Sequence, residues 1–448
     1  MKSFFVILLC KCLYFIGSKI GKGSSLPGEI ALKICPDILK RITLPKYVIA
    51  VTGSNGKTST TEMISHVLRE NGMIVAHNKE GSNQIEGVTT MLLRNCNLKG
   101  VVQSDAAIIE SDERYARKTF KYFTPTHFII TNLYRDQSTR NGHPFWIYNI
   151  IKEAINDETT LVLNANDPLV SLFGKDRKNV IYFSMAENSQ SIKEFKGMYN
   201  DAKYCPVCHK ILKYNYYHYN HIGNFYCDCG YKTMESQFVA TQMNLENKTM
   251  TINDKYKINL SFASTYNVYN LLSAFVASSL AGVDGEDITK SLNGYVLKSG
   301  RLLDFTINDH NGLLMTSKHE NSVSYNQSIT YVKNNLNKSI VMFIVDAVSR
   351  KYFTSETSWL WDIDFDLLKN SNVEKIILSG TFAYDLGVRF EYTDIDPEKI
   401  IIVPKPSDAT EMLYGEKKEI FGENSRHDEN IFVITCFSDK DKFTSTLK

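Results

Sequence analysis

The sequence predicts an α/β protein: two strand–helix groups flanking a cysteine-rich insertion. Three observations carry this. Short, continuous apolar runs alternate with helical patterns, as buried parallel strands and their crossovers do. A glycine-bearing turn, Gly53-Ser54-Asn55-Gly56-Lys57-Thr58-Ser59, joins the first such run to the clearest helix. Four cysteines gather between 205 and 229, where the alternation stops.

A chain of 448 residues corresponds to roughly three domains at about 150 residues each. Hydrophobic residues are 43% and charged residues 22%, which excludes disorder, collagen and coiled coil as the main character. Lys plus Arg is 51 against Asp plus Glu 49, so nothing global draws the chain to nucleic acid, and no such partner is expected. Nine cysteines in so long a chain do not form a disulfide framework, and a cytoplasmic, reducing compartment is expected.

Residues 1–45 read as an N-terminal helical segment. No apolar run reaches the roughly 18 residues that cross a bilayer. The stretch 4–10 is cut by Lys11, and no small-residue cleavage site follows. Residues 1–19 form an amphipathic helix with Lys2, Lys11 and Lys19 interspersed. Packing on the body is the preferred reading; contact with the inner face of the membrane is the other.

Strands are expected at 47–52, 106–109, 127–131, 160–164 and 180–183, and again at 339–345, 375–379, 399–403 and 431–435. The helix 58–70 places Met63, Ile64, Val67 and Leu68 on one face and stops at Asn71-Gly72. Residues 200–235 read as an insertion, 266–280 as helix, and Gly300-Arg301 as a junction. The expected domains are 1–45, 46–298 and 299–448.

The turn after the first strand is a phosphate loop (P-loop). Gly53 and Gly56 let the backbone turn tightly and approach a ligand. Amides at the following helix start point at phosphate oxygens, aided by the helix dipole. Lys57 neutralises β/γ-phosphate charge, and the Thr58 hydroxyl ligates Mg²⁺. A glycine turn with an exposed lysine is the bland alternative, and the strand–loop–helix context speaks against it.

Cys205-Pro206-Val207-Cys208 and Cys227-Asp228-Cys229-Gly230 are two knuckles that can converge on Zn²⁺. Four thiolates leave no open position, so the metal is structural. Free or redox-active cysteines are the alternative.

The short loop Gly-Ser-Asn-Gly-Lys-Thr resembles that of the Mur ligase family, which joins an amine to a carboxylate through an acyl phosphate. Val51 stands where the general phosphate-loop pattern has glycine. The resemblance implies a Mur ligase-like central P-loop ATPase domain with an inserted zinc ribbon, and a Rossmann-like α/β C-terminal domain. It implies ATP and Mg²⁺ as cofactors beside structural Zn²⁺. Glu110, in Ile108-Ile109-Glu110-Ser111-Asp112-Glu113, would be a second Mg²⁺ ligand. Thr131-Asn132-Leu133-Tyr134-Arg135-Asp136-Gln137 is similar to the family's strand-end motif beside the γ-phosphate and brings in Asn132. Leu163-Asn164-Ala165-Asn166-Asp167 is similar to the segment opening the adenine side, with Asn164 and Asp167. Asn270, in Tyr266-Asn267-Val268-Tyr269-Asn270, would contact adenine, and Arg301 would reach the nucleotide from the last domain. Gly53, Asn55, Gly56, Lys57, Thr58 and Ser59 complete the expected nucleotide site. Gln137 and Asn166 replace the family's more usual His and Asp.

The ribbon resembles the MurT subfamily in particular. So do Gly21-Lys22-Gly23-Ser24-Ser25-Leu26-Pro27-Gly28, Asn78-Lys79-Glu80-Gly81-Ser82-Asn83, Ser358-Trp359-Leu360-Trp361-Asp362 and Ser379-Gly380-Thr381-Phe382-Ala383-Tyr384-Asp385. This implies a GatD-like class I glutamine amidotransferase as partner. It also implies ATP-dependent amidation of the D-glutamate α-carboxyl of lipid II, with membrane contact through that substrate. Lys57 and Glu110 would be catalytic, and Glu356 would face the glutaminase site, with Asp346 a second candidate. Departures fall in the last domain. Glu320 stands where the family has lysine, Lys318 or His319 could compensate by a register shift, and 346–356 differs from the family's Asn/Asp-rich run. A divergent paralogue acting on another carboxylate or amine, and a nucleotide-binding scaffold without turnover, are the alternatives.

Overall fold

Runs such as Tyr-Val-Ile-Ala-Val-Thr carry apolar side chains on both faces, and they are buried on both faces in a computed structural model of the protein. The structure describes residues 2–19, 21, 23–78, 82–195, 197–262, 264–296, 302–346, 356–369, 371–415, 418–421 and 429–447. Arg301, Gly300 and 347–355 therefore lie outside the described residues. The chain forms two units: 1–134 with 143–195 and 200–297, and 135–142 with 196–199 and 298–448.

The first unit opens with α1 (Lys2–Lys19) and α2 (Leu26–Ile34), followed by β1 (Tyr47–Thr52), α3 (Lys57–Glu70), β2 (Val75–His77), α4 (Ile85–Asn95), β3 (Ala106–Glu110), α5 (Ala116–Thr119) and β4 (His127–Ile130). The short α6 (Ser138–Asn141) belongs to the second unit. Then come α7 (Pro144–Lys152), β5 (Thr160–Asn164), α8 (Pro168–Ser171) and β6 (Val180–Met185). After the hairpin β7 (Lys213–Tyr219) and β8 (Ile222–Tyr226) follow β9 (Phe238–Asn244), β10 (Thr249–Ile252), β11 (Tyr256–Asn259), α9 (Thr265–Leu280) and α10 (Gly285–Asn293).

The sheet order is β11-β10-β9-β6-β5-β4-β1-β3-β2. From β1 the chain moves out to β2, returns to β3, then crosses to β4 on the other side of β1. That reversal opens a crevice beyond the carboxyl end of β1, where ligands bind in such sheets. The antiparallel ribbon β9–β11 was not expected, because its strands are short and half exposed and lack an apolar run. The segment 1–45 shares the core of this unit: Val6, Ile7, Cys10 and Cys35 pack in one cluster with Val48, Leu92 and Ile109.

The second unit holds β12 (Leu302–Ile307), β13 (His310–Ser317), α11 (Ser322–Lys333), β14 (Ser339–Ile344), β15 (Val373–Ser379), α12 (Ala383–Glu391), β16 (Ile400–Ile402), α13 (Pro406–Tyr414), α14 (Lys418–Phe421), β17 (Asn430–Cys436) and α15 (Lys440–Thr444). Its order is β12-β13-β17-β14-β15-β16, parallel except for the β12–β13 hairpin. Apolar clusters cover both sheet faces, one around Phe343, Phe365 and Phe390 and one around Ile344, Leu413 and Phe443.

Candidate nucleotide site and cysteine cluster

The loop after β1 is built as its glycines require. Gly53 has φ +134° and Gly56 φ +87°, values that side-chain-bearing residues rarely adopt. A Cβ on Gly53 would stand 2.3 Å from Thr131 Oγ1, and one on Gly56 would stand 2.2 Å from Asn270 Oδ1. Gly56 precedes the first turn of the 14-residue α3, so the unpaired amides and the positive end of the helix dipole meet at the loop.

The strand-end segment after β4 holds the loop from behind. Asn132 Oδ1 accepts from the Asn55 N–H at 2.9 Å, while its Nδ2 donates to the Asn55 carbonyl at 3.2 Å. Thr131 Oγ1 donates to the same carbonyl at 2.7 Å. Ser54 Oγ donates to the Tyr134 carbonyl and accepts from the Tyr134 N–H. In this structure Asn132 is a brace of the loop.

The residues expected at the adenine side form a further support. Asn164 donates to the Thr131 carbonyl at 3.1 Å and accepts from the Asn166 N–H. Asp167 is fully buried: Oδ1 accepts from the Leu169 and Val170 amides and caps α8, and Oδ2 accepts from the Leu133 N–H at 2.7 Å. Asn270 is buried on α9 with its amide against Gly56.

Lys57, the first residue of α3, is buried. Its ammonium donates to the Gly53 carbonyl and lies 3.0 Å from Glu113 Oε2. Glu110 ends β3 in register with Val51 of β1. Asn78 brackets its backbone, accepting from the Glu110 N–H and donating to the Glu110 carbonyl, each at 2.8 Å, and Asn83 donates to Glu110 Oε1 at 3.2 Å. Asn83 also lines a groove of about 910 Å³ with Ser25, Lys33, Glu86, Lys118 and Lys121. Thr58 and Ser59 are half-buried in the first turn of α3. The sequence assigned no role to Glu113, Asn78 or Asn83, although each stands in a motif quoted above, Glu113 three residues beyond Glu110 and the two asparagines at the ends of one run.

These residues fit a nucleotide with a divalent cation. Beside the loop, the buried hydroxyls Thr52 Oγ1 and Ser111 Oγ have no hydrogen-bond partner among the described residues. A concave turn of amides, an ammonium and one carboxylate is the donor set that phosphate oxygens and Mg²⁺ require.

The four cysteines also converge. Their sulfurs lie within 4.8 Å of one another, with Cys205 and Cys229 at 3.7 Å and Cys208 and Cys227 at 3.4 Å. A tetrahedral zinc with Zn–S near 2.3 Å sets sulfurs about 3.8 Å apart. The surrounding core is small, consisting of Leu212 and Phe225 with the thiols and the edges of Tyr214 and Tyr231. A hydrogen bond from the Tyr231 backbone draws the Cys229 thiol down to about 7, while burial pushes Cys205 up to about 12, so the thiols are not uniformly poised as thiolates and the spacing of the sulfurs is what fits a metal.

Glu356 and Asp346 belong to the second unit. Glu356 is exposed and accepts from the Ser358 N–H at 2.8 Å; hydrogen bonding from the Ser358 side chain, then from its backbone, holds the carboxyl below the usual range. Asp346, at the carboxyl end of β14, accepts from Thr381 and pairs with Lys442 at 3.1 Å. Lys318 pairs with the buried Asp136, which also accepts from Asn321 at 2.8 Å, and Arg135 grips Asp362 through one nitrogen at 2.9 and 3.0 Å. Glu320 has φ +50° and gives its carbonyl to the Gln137 N–H.

Comparison with known proteins agrees with this geometry. Residues 51–278 match the Mur ligase middle domain, and the chain belongs to the Mur ligase family. Its C-terminal part is of the MurT type: residues 319–437 match the MurT ligase C-terminal domain. The chain is 28% identical over 405 residues to the lipid II isoglutaminyl synthase (glutamine-hydrolyzing) subunit MurT of Staphylococcus aureus (strain COL), covering 90% of each. It is 28% identical over 407 residues to the MurT subunit of Streptococcus pneumoniae (strain ATCC BAA-255 / R6), covering 89% of each. The fold is shared with a pseudomurein peptide ligase type C from Methanothermus fervidus, at 22% identity, TM-score 0.67, and coverage of 91% of this chain and 80% of that one. MurF ligase from Thermotoga maritima in complex with ADP gives a TM-score of 0.59 at 14% identity, covering 94% and 83%.

Proposed function

We propose that the protein is the ATP-dependent subunit of a glutamine-dependent amide ligase. It activates the D-glutamate α-carboxyl of the lipid II stem peptide for amidation to D-isoglutamine. A GatD-like class I glutaminase supplies the ammonia, in the cytoplasm. The observation that carries this reading is the phosphate loop with Lys57 at its end and Glu110 one strand away, in a chain similar to MurT subunits over nine-tenths of its length.

The carboxylate oxygen takes the γ-phosphoryl group, ADP leaves, ammonia attacks the acyl carbon, and phosphate departs. Gly53 to Ser59 bind and orient the triphosphate. Lys57, released from the Gly53 carbonyl, offsets charge on the transferring group. Thr58 and Glu110 would hold Mg²⁺, which supplies Lewis-acid stabilisation of phosphate charge. Lys118 and Lys121, in the groove beside Asn83, give an acidic acceptor its cations. Asn132, Asn164, Asp167 and Asn270 keep the loop in shape, and the family resemblance assigns Arg301 a contact with the nucleotide. Cys205, Cys208, Cys227 and Cys229 hold a structural zinc. Glu356 is the carboxylate assigned to the glutaminase side, with Asp346 second, since its oxygens are already engaged by Thr381 and Lys442.

Co-expression with a class I glutaminase encoded beside it tests this, by assaying ATP- and glutamine-dependent conversion of lipid II D-glutamate to D-isoglutamine. ATP turnover on a different carboxylate, with lipid II unchanged, would overturn the substrate assignment.

A further inference from the structure

Helix α1 has two apolar faces, and only one is used by the fold. Val6, Ile7, Cys10 and Gly17 are buried where α1 packs on α2 and α4. The other face shows Phe4, Leu8 and Leu9 at about two-fifths exposure, Phe5 and Phe15 at 65% and Ile16 at 60%. At 100° per residue these six side chains fall in one arc of about 140°. Large side chains at consecutive turns of one face form a continuous apolar strip, which a water-facing surface seldom carries unless something covers it.

The charges around the strip point to what covers it. The helix carries no acidic residue, and its three charged residues are Lys2, Lys11 and Lys19. On the helical wheel Lys2 and Lys11 flank the two edges of the apolar arc, and Lys19 closes its C-terminal end; the Lys11 ammonium donates to the Arg94 carbonyl at 2.8 Å, which leaves Lys2 and Lys19 as the exposed cations. Lysines that flank an apolar strip let their stems follow it while their ammonium groups meet an anionic layer at its border. No described helix is long and apolar enough to cross a membrane. At 18 residues, α1 is about 27 Å long, and Lys11 interrupts its middle.

We propose that α1 lies in the plane of an anionic lipid leaflet, with Phe4, Phe5, Leu8, Leu9, Phe15 and Ile16 immersed at the headgroup boundary and Lys2 and Lys19 against lipid phosphates. This is the geometry of an interfacial helix, in which apolar burial and attraction to anionic lipid add. The proposal does not depend on ATP chemistry or on the identity of the acceptor. If the acceptor is lipid-linked, α1 also sets the groove lined by Ser25 and Lys33 of the adjoining α2 region near the leaflet.

The test is co-sedimentation of the full chain with vesicles of phosphatidylcholine containing one-third phosphatidylglycerol, without nucleotide or lipid II. The chain should pellet with these vesicles, and less with phosphatidylcholine alone. Phe5→Ser with Phe15→Ser should weaken binding at least about tenfold, since each ring contributes about a factor of ten or more on burial. Lys2→Glu with Lys19→Glu should erase the preference for anionic vesicles. All four positions are exposed, and an unchanged melting curve confirms that the variants fold. A wild-type chain that stays in the supernatant, or a Phe5/Phe15 variant that binds as well as wild type, would overturn the proposal. So would a dimer in light scattering that the same two substitutions dissociate without any vesicle binding, which would assign the strip to a second copy. Because no substrate is present, failure of the ligase reading leaves this result untouched.

Discussion

His221 Nε2 lies 3.5 Å from Asp167 Oδ1, and both side chains are fully buried. His221 lies in the turn between β7 and β8, so the tip of the hairpin beside the cysteine cluster meets the carboxylate that caps α8 and receives the Leu133 N–H. Leu133 sits between Asn132 and Tyr134, whose contacts hold Asn55 and Ser54. The insertion therefore reaches the segment that shapes the loop through this buried ionic contact, beside hydrogen bonds from Gly223 to Asn166 and from Tyr231 to Pro168.

That pairing predicts a pH dependence. Burial alone would lower the His221 pKa, but the charge of Asp167, with Asp201 behind it, raises it above the ordinary value. A histidine whose folded pKa is raised contributes stability that is fully present below the unfolded value of about 6.5 and is lost as pH rises through the folded value. Urea midpoints measured from below pH 6 upward should fall across that window, and His221→Asn should flatten the fall. An equal slope in both proteins would show that His221 stays neutral beside Asp167.

Lys57 has a place in the fold beside the role proposed for it at the phosphate. With Lys57 and Glu113 both buried, Lys57→Ala removes one partner of a buried ion pair. Loss of ATP turnover should therefore come with a stability loss of about 3–5 kcal/mol, the usual effect of removing one partner of a buried pair. Lys57→Ala with Glu113→Gln should recover most of the stability and none of the turnover. A double-mutant cycle of denaturation curves beside a phosphate-release assay separates the two roles.

How much of this could be read in advance differs from place to place. The phosphate loop was legible because its chemistry demands glycines and a lysine at fixed neighbouring positions. Cys205, Cys208, Cys227 and Cys229 were legible for the same reason. The strands 47–52 and 160–164 were legible because a strand buried on both faces must be apolar throughout. Asn132 and Asp167 were expected at the nucleotide; their work as brace and helix cap was not legible, since it depends on which backbone amides the fold brings to them. His221 carried no signal, because its partner lies more than fifty residues away and the pairing depends on a hairpin tip reaching a crossover. The ribbon β9–β11 and the hairpin β12–β13 escaped notice because half-exposed strands mix polar and apolar residues.

Gly56 offers a sharp steric test. Its φ of +87° already disfavours any side chain, and a Cβ would meet Asn270 Oδ1 at 2.2 Å. Gly56→Ala should therefore weaken binding of a fluorescent ATP analogue by more than about tenfold, the left-handed conformation alone costing about 1–2 kcal/mol. Adding Asn270→Ala removes the clash and leaves the backbone strain, so affinity should return only in part. Full recovery would mean that the contact with Asn270 alone demands glycine at this position.

The cysteine cluster makes the last prediction, because its core is too small to hold the hairpin by burial alone. Purified chain should contain about one zinc per molecule, as four thiolates at tetrahedral spacing require. Cys208→Ser with Cys227→Ser should reduce the metal to near none and lower the melting temperature. Strand β7 follows the first knuckle, and the second knuckle directly follows β8, so release of the knuckles frees both ends of the hairpin that places His221. The same variant should therefore weaken nucleotide binding although no cysteine is expected to touch the nucleotide. Since that coupling runs through Asp167, His221→Asn should lower affinity in the same direction and to a smaller extent. If the metal-free variant binds nucleotide as tightly as the parent, the ribbon is mechanically separate from the loop, and the His221–Asp167 pair serves only local stability.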